Sequence, residues 1–193
     1  MECAINEEKL KTLIAYMAQQ TSPGKLKLFK LLYLTDFTAH TVIGRSITGL
    51  SYENFQLGPV PRFLWDNFYS ITRDCVTVEQ CDYNGRIAYE IHAHRPVSLQ
   101  IFDEDEKVIV VDVASKYGNK TGAELTRLTH AELPFKATCR GEQIPYYLAP
   151  FRDFKRISRA EVTSLIDKNQ KLAERLRQGL RRGAEEALEA SVE

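Results

Sequence analysis

The chain has 193 residues, 44% hydrophobic and 27% charged, and its 26 basic and 26 acidic side chains cancel to a formal net charge of zero. That length suits one domain with room for an appended element, and the apolar content is ordinary for a packed core. A pI near 6.9 argues against a dedicated nucleic-acid binder, whose domains usually have a pI above about 9. The four cysteines, Cys3, Cys75, Cys81 and Cys139, form no C-x-x-C pair and follow no signal peptide. Neither a zinc site nor a disulfide framework is indicated, and reduced thiols in a cytoplasmic protein are expected.

Asn6 caps a first predicted helix, in which Leu10, Leu13, Ile14 and Met17 recur at helical spacing on one face. The next stretch organises the chain. Leu26, Leu28, Phe29, Leu31, Leu32, Tyr33, Leu34 and Phe37 make it apolar on almost every side, with Lys25, Lys27, Lys30 and Asp36 interrupting. A helix that is hydrophobic all round is buried, and this run falls short of the roughly 18 to 20 apolar residues of a membrane span. It reads as a central helix, with Ser22 as N-cap, Pro23 in its first turn and Gly44 as its stop. Tyr52 to Leu57 alternates as a strand, Gly58-Pro59-Val60-Pro61 reads as a rigid sharp turn, and Pro61 opens the next helix.

Lys30-Leu31-Leu32-Tyr33-Leu34-Thr35-Asp36, then Gly44-Arg45-Ser46-Ile47-Thr48-Gly49, then Gly58-Pro59-Val60-Pro61 resembles the motif series of the Panacea domain, a family grouped with SocA-like antitoxins and phage-associated GepA-like proteins. Three short motifs in order, at family-like spacing, carry the resemblance.

After Pro61, Phe63, Leu64, Phe68 and Ile71 suggest a short helix flanked by Trp65 and Tyr69, an aromatic stripe that reads as core rather than a binding box. Residues 76–93 read as a hairpin turning at Asn84-Gly85, with Ile87, Tyr89, Ile91 and Ala93 on the packed face. With the Tyr52 to Leu57 strand it would complete one small sheet. Asp103 and Glu106 form a capping box ahead of Val108 to Val113, a β-branched run that suits strand or helix; the family resemblance implies helix, ending near Gly118. Thr121 and Glu124 box another short helix. Thr129-His130-Ala131-Glu132-Leu133-Pro134-Phe135 is similar to the family's T-H-x-E-x-P-W segment, with Phe135 where Trp is usual, and Gly141 to Pro145 resembles its closing segment. The resemblance covers residues 5–157.

Residues 158–193 form a predicted C-terminal helical extension beyond it. Leu165, Asn169, Leu172 and Leu176 lie at heptad spacing with one polar seam position, a candidate partner-binding helix. Arg175, Arg177, Arg181 and Arg182 are followed by Glu185, Glu186 and Glu189, the pattern of a solvated face.

No G-x-S-x-G, P-loop or H-E-x-x-H motif is present. His92 and His94 lack the further ligands a metal site requires. His130 and Glu132 suit an acid/base pair or, as the residues read more readily, side chains satisfying backbone groups at a helix start. Lys30, Tyr33 and Asp36 recur at i, i+3 and i+6 on the central helix, and two readings stand for them: partners in the core, or a polar patch that docks a protein. The remaining motif residues, Gly44, Gly49, Gly58, Pro59, Pro61, Thr129 and Pro134, join them as structural or partner-binding candidates.

The expected fold is α+β, mainly helical around a buried central helix, with a small antiparallel sheet and a C-terminal helix. No cofactor, metal or enzymatic activity is expected. The resemblance implies an antitoxin of a bacterial or phage toxin–antitoxin pair that neutralises a cognate toxin by direct binding. Toxins in the family's orbit include alarmone-synthetase-like translation inhibitors. The alternatives are an adaptor delivering a toxin to a ClpXP-type protease, as SocA does, and a nucleic-acid-binding regulator. Self-association through the C-terminal helix is a further partner reading, and no membrane association is expected.

Overall fold

The computed structural model describes residues 4–152 apart from Asn84. The chain divides into two units, Met1–Lys155 and Arg156–Glu193, and the described residues belong to the first. The proposed C-terminal helix, with Leu165, Asn169, Leu172 and Leu176, lies outside the described residues.

The fold is α+β and mainly helical. Helix α1 (Glu7–Thr21) starts at Asn6, whose side chain accepts from the Lys9 amide at 3.0 Å, and it buries Leu10, Leu13, Ile14 and Met17. The central helix α2 (Lys25–Ile43) ends at Gly44 in the left-handed conformation. Every residue from Leu28 to Phe37 is buried. Around α2 pack α1, the hairpin β1 (Glu53–Phe55) and β2 (Gly58–Val60), the hairpin β3 (Val76–Tyr83) and β4 (Arg86–Ala93), α4 (Glu104–Tyr117), α5 (Gly122–Ala131), and a 3-10 turn at Tyr146–Phe151. Helix α3 (Arg62–Thr72) leans on α1 and on Phe29 of α2, and the single turn α6 (Leu133–Lys136) follows α5. Both expected capping boxes form: Asp103 with Glu106 opens α4, and Thr121 with Glu124 opens α5. The cap thus outweighs the β-branched content of Val108 to Val113.

Ser22 does not cap α2. It sits at φ 37° and closes α1, its amide donating to the Ala18 carbonyl, while Gly24 takes the N-cap of α2. The connection between the two helices is only three residues long, so the preceding helix captures the serine. Pro23 stands outside α2 and offers its carbonyl to the Ile91 amide at 3.0 Å.

The sheet differs from expectation as well. There are two separate two-stranded antiparallel sheets, β1–β2 and β3–β4. Gly58-Pro59-Val60 is not a corner but the second strand of a tight hairpin, with Glu53 opposite Val60 and Phe55 opposite Gly58. The chain reverses before it, at Gln56 and Leu57, and Pro61 is the N-cap of α3. The other edge of β1 is used by the closing segment: the amides of Asn54, Gly141 and Ile144 donate to the carbonyls of Glu142, Asn54 and Tyr52. That edge is therefore unavailable to β3 or β4. In the second hairpin Ile91 and Val76 reach the core, but Ile87 and Tyr89 on the same face are 68% and 55% exposed, because the hairpin runs on past the helices beneath it.

Gly58 has φ 96°, and a Cβ there would lie 2.9 Å from Lys30 Cε and 3.0 Å from Thr129 Oγ1. Positive φ and lack of space both exclude a side chain. Gly58→Val should destabilise the fold by about 2 kcal/mol or more, read as a lower urea midpoint; an unchanged midpoint would refute this account of the hairpin.

Candidate functional site

Lys30, Tyr33 and Asp36 of α2 are fully buried, and each reaches a different segment. Lys30 Nζ donates to the Pro59 carbonyl at 2.8 Å. The Tyr33 hydroxyl donates to Glu132 at 3.0 Å, and the other Glu132 oxygen accepts from Arg152 at 2.9 and 3.1 Å. Arg152 Nη1 continues to the Thr38 hydroxyl at 3.0 Å, back on α2. Asp36 accepts four hydrogen bonds: the Ile47 and Thr48 amides at 2.9 Å each, the Thr48 hydroxyl, and the Tyr52 hydroxyl at 2.7 Å. Spacing by three residues on a helix turns successive side chains by about 300°, so they fan out to distinct neighbours. Lys30 holds β2, Tyr33 holds the α5–α6 junction, and Asp36 holds the loop after Gly44.

The remaining motif residues surround these contacts. Thr129 is buried with its hydroxyl on the Leu125 carbonyl at 3.0 Å, beside Gly58. Pro59, Pro61 and Pro134 are buried, Gly49 is half-buried and Gly44 exposed. His130 does not satisfy a helix start. It stacks on Phe135, ring centroids 4.3 Å apart and 10° from parallel, and its buried Nε2 has no hydrogen-bond partner among the described residues. Glu132 is the N-cap of α6, but its carboxylate turns to Tyr33 and Arg152 because those buried donors are stronger partners than an amide at a one-turn helix. His92 lies 3.5 Å from Glu90 and 3.4 Å from Ser22, while the His94 amide donates to Cys75. Among the described residues no cluster of His, Cys, Asp or Glu is arranged to hold a metal, and no helix is long and apolar enough to cross a membrane.

Burial sets the electrostatics. It lowers the Lys30 ammonium from its ordinary value to about 7. It raises the Asp36 carboxyl despite four donors, and it raises the Tyr33 phenol well above its usual range, with Glu132 adding to the rise. Burial lowers the His130 imidazole, and the Lys30 charge pushes the same way. For Arg152 burial also works downward, but Glu132 outweighs it and the guanidinium is held above its usual value.

Local sequence reasoning did not find several members of this network. Tyr52 was read only as a strand residue and Arg152 carried no signal, since its partners lie 20 and 114 residues away. Asn54, whose amide donates to the Phe135 and Thr138 carbonyls at 2.8 and 2.9 Å, ties the first hairpin to α6.

The aromatic stripe of α3 is also not wholly core. Leu64, Phe68 and Ile71 are buried, but Phe63 and Trp65 are each 44% exposed and Tyr69 is 68% exposed. At 100° per residue Trp65 and Tyr69 fall on one flank of the buried stripe and Phe63 on the other. Lys25 Nζ lies over that flank, 4.9 Å from the Trp65 ring centroid and 5.8 Å from that of Tyr69. Asn67 interrupts α3 with φ −112° and ψ 16°.

A family model described as antitoxin SocA-like, Panacea domain, matches residues 28–135, more than half of the chain. The chain belongs to this family. The match begins inside the central helix, ends at the ring stacked on His130, and includes Lys30, Tyr33, Asp36 and Glu132 together with α3. It supports an antitoxin-type role and a protein partner at the level of the family. No curated protein and no solved structure matches the chain.

Two measurements test the anchors. Asp36→Ala leaves four buried donors without an acceptor and should cost about 3 kcal/mol or more; a loss below about 1 kcal/mol by urea denaturation would contradict the assigned role. The second uses Lys30. Its folded value is depressed, so between pH 7 and 10.5 the unfolded chain holds a proton that the folded chain has released. Stability therefore rises with pH across that window. From pH 7 to 9 the wild-type chain should gain about 2 kcal/mol relative to Lys30→Met, and parallel pH profiles for the two chains would exclude it.

Proposed function

We propose that the chain neutralises a cognate toxin by direct protein–protein binding, with the Trp65–Tyr69 flank of α3 as the contact surface among the described residues. The observation that carries this reading is the division of labour within the family match. Its charged and polar motif side chains Lys30, Tyr33, Asp36 and Glu132 are buried and committed to one another's segments. Recognition then falls to what the same region exposes. Trp65 and Tyr69 are large aromatics at the surface, and Trp and Tyr are over-represented among residues that dominate binding energy.

The heptad-spaced stripe Leu165, Asn169, Leu172 and Leu176 is proposed as a second contact, because its spacing predicts a helix whose apolar stripe would need a cover.

Co-expression with the product of the adjacent open reading frame tests both. The full chain should restore growth and co-purify with that protein. Trp65→Ala with Tyr69→Ala should weaken the complex about tenfold or more in a chain whose circular dichroism stays that of the folded wild type. A full chain that neither rescues nor co-purifies ends the antitoxin reading. Rescue unaffected by the double variant moves the contact away from α3, and a truncation after Arg156 that rescues as well as the full chain removes the tail from it.

A further inference from the structure

Lys25 is held in a way its own helix does not favour. It is the first residue of α2, whose first turn carries no acidic residue and whose N-cap, Gly24, has no side chain. A cation at a helix N-terminus faces the positive end of the helix dipole. Two other lysines near this end have well-placed carbonyl acceptors: Lys27 donates to Gly118 at 2.6 Å and Lys30 to Pro59 at 2.8 Å. Lys25 has a longer bond to the Trp65 carbonyl at 3.2 Å, and burial lowers its ammonium from the ordinary value. What surrounds it is aromatic. Its Nζ lies 4.9 Å from the Trp65 ring centroid, 5.0 Å from Phe68, 5.7 Å from Phe29 and 5.8 Å from Tyr69. Four rings around one ammonium form an aromatic cage, the arrangement that binds organic cations through the negative faces of the rings. Phe29 and Phe68 are its buried floor; Trp65 and Tyr69 are its exposed walls.

We infer that this cage is a receptor for a cationic side chain, arginine or lysine, presented by the protein partner, and that Lys25 occupies it as an internal stand-in that the partner's cation displaces. The ligand chemistry is already on display, since the cage holds an ammonium against both the helix dipole and partial desolvation. An incoming guanidinium meets the same dipole field there but stacks on ring faces better than an ammonium. Asp66 of α3, ion-paired with Arg62 at 2.8 Å, supplies a carboxylate close enough to act on the Lys25 charge. The inference rests on the proposed binding flank of α3 for its biological meaning, but not for its chemistry.

Trp65 is the only tryptophan in the sequence, so its fluorescence reports the cage directly. The probes are the blocked tripeptide Gly-Arg-Gly and its neutral counterpart Gly-Gln-Gly, titrated into the full chain and into Lys25→Met, which empties the cage of charge while keeping an aliphatic stem. Lys25→Gln serves as a second emptied variant. The arginine peptide should give a saturable change in Trp65 emission that the glutamine peptide does not. It should bind the emptied variants about threefold to fivefold more tightly than wild type, roughly the effect of one exposed cation–ring contact. Adding Tyr69→Ala to Lys25→Met should return the affinity to the wild-type level or below. A folded Lys25→Met chain with no saturable response, an equal response to the two peptides, or the same affinity in wild type overturns the inference. Co-expression with the adjacent toxin separates the two proposals. Rescue by a chain whose cage ignores arginine overturns the cage alone; arginine binding by a chain that rescues nothing overturns the antitoxin reading and leaves the cage.

Discussion

The structure depends on the burial of Lys30, Tyr33 and Asp36 in one apolar helix. Removing a charged or hydroxyl group from water costs several kcal/mol unless its hydrogen bonds are replaced. Lys30, Tyr33 and Asp36 are all fully buried on α2, so each requires a specific partner at a specific place. The partners are carried by segments that have little regular structure of their own: a three-residue strand, a loop, and the break between α5 and α6. Apolar packing alone would leave those segments free to slide against α2. A carbonyl that must meet Lys30, or two amides that must meet Asp36, removes that freedom.

The Lys30 and Asp36 branches of the network are radial, but one branch closes on α2 itself. From Tyr33 it runs through Glu132 and Arg152 and returns to Thr38 one turn further along the same helix. The 3-10 turn before Arg152 also places Tyr146, whose hydroxyl donates to the Leu50 carbonyl at 2.6 Å while its ring lies 4.7 Å from that of Phe37. The end of the described region therefore secures both its first hairpin and its central helix. A third buried carboxylate repeats the logic: Glu106 closes the cap of α4 and pairs with Lys9 of α1 at 2.6 Å. Such pairs are weak sources of stability but strong sources of register, because breaking one leaves an uncompensated charge.

How much of this was legible in the sequence follows from the range of each interaction. Caps act over three residues, so Asn6, Asp103 and Thr121 could be read directly. The buried helix could be read from the run Leu28 to Phe37. Ser22 misled because the same residue type serves at either end of a helix, and only the length of the connection decided between them. Ile87 and Tyr89 misled because alternation reports which face is apolar, not whether anything lies beneath it. The Trp65–Tyr69 flank failed for a similar reason, since helical periodicity marks the centre of a stripe better than its margins. Tyr52 and Arg152 had no local pattern at all: their partners are fixed by the completed fold. The resemblance identified the segments that matter without deciding whether they face inward or outward.

That inward orientation has a consequence for binding. When a family's polar motif residues are used to position its own segments, the side chains over them are released from holding the fold. Surface substitutions away from caps and buried networks usually change stability by no more than about 0.5 kcal/mol. The exterior of such a domain can therefore be reshaped with little effect on its interior. Helix α3 is the place where that separation is least complete, because Phe68 fills the core and also lines the floor of the cage around Lys25. A partner engaging Trp65 and Tyr69 would press on a ring that packs edge-on against Phe29, 6.2 Å away on the central helix. Contact at that flank is thus coupled mechanically to the helix around which α1, α4, α5 and β2 pack.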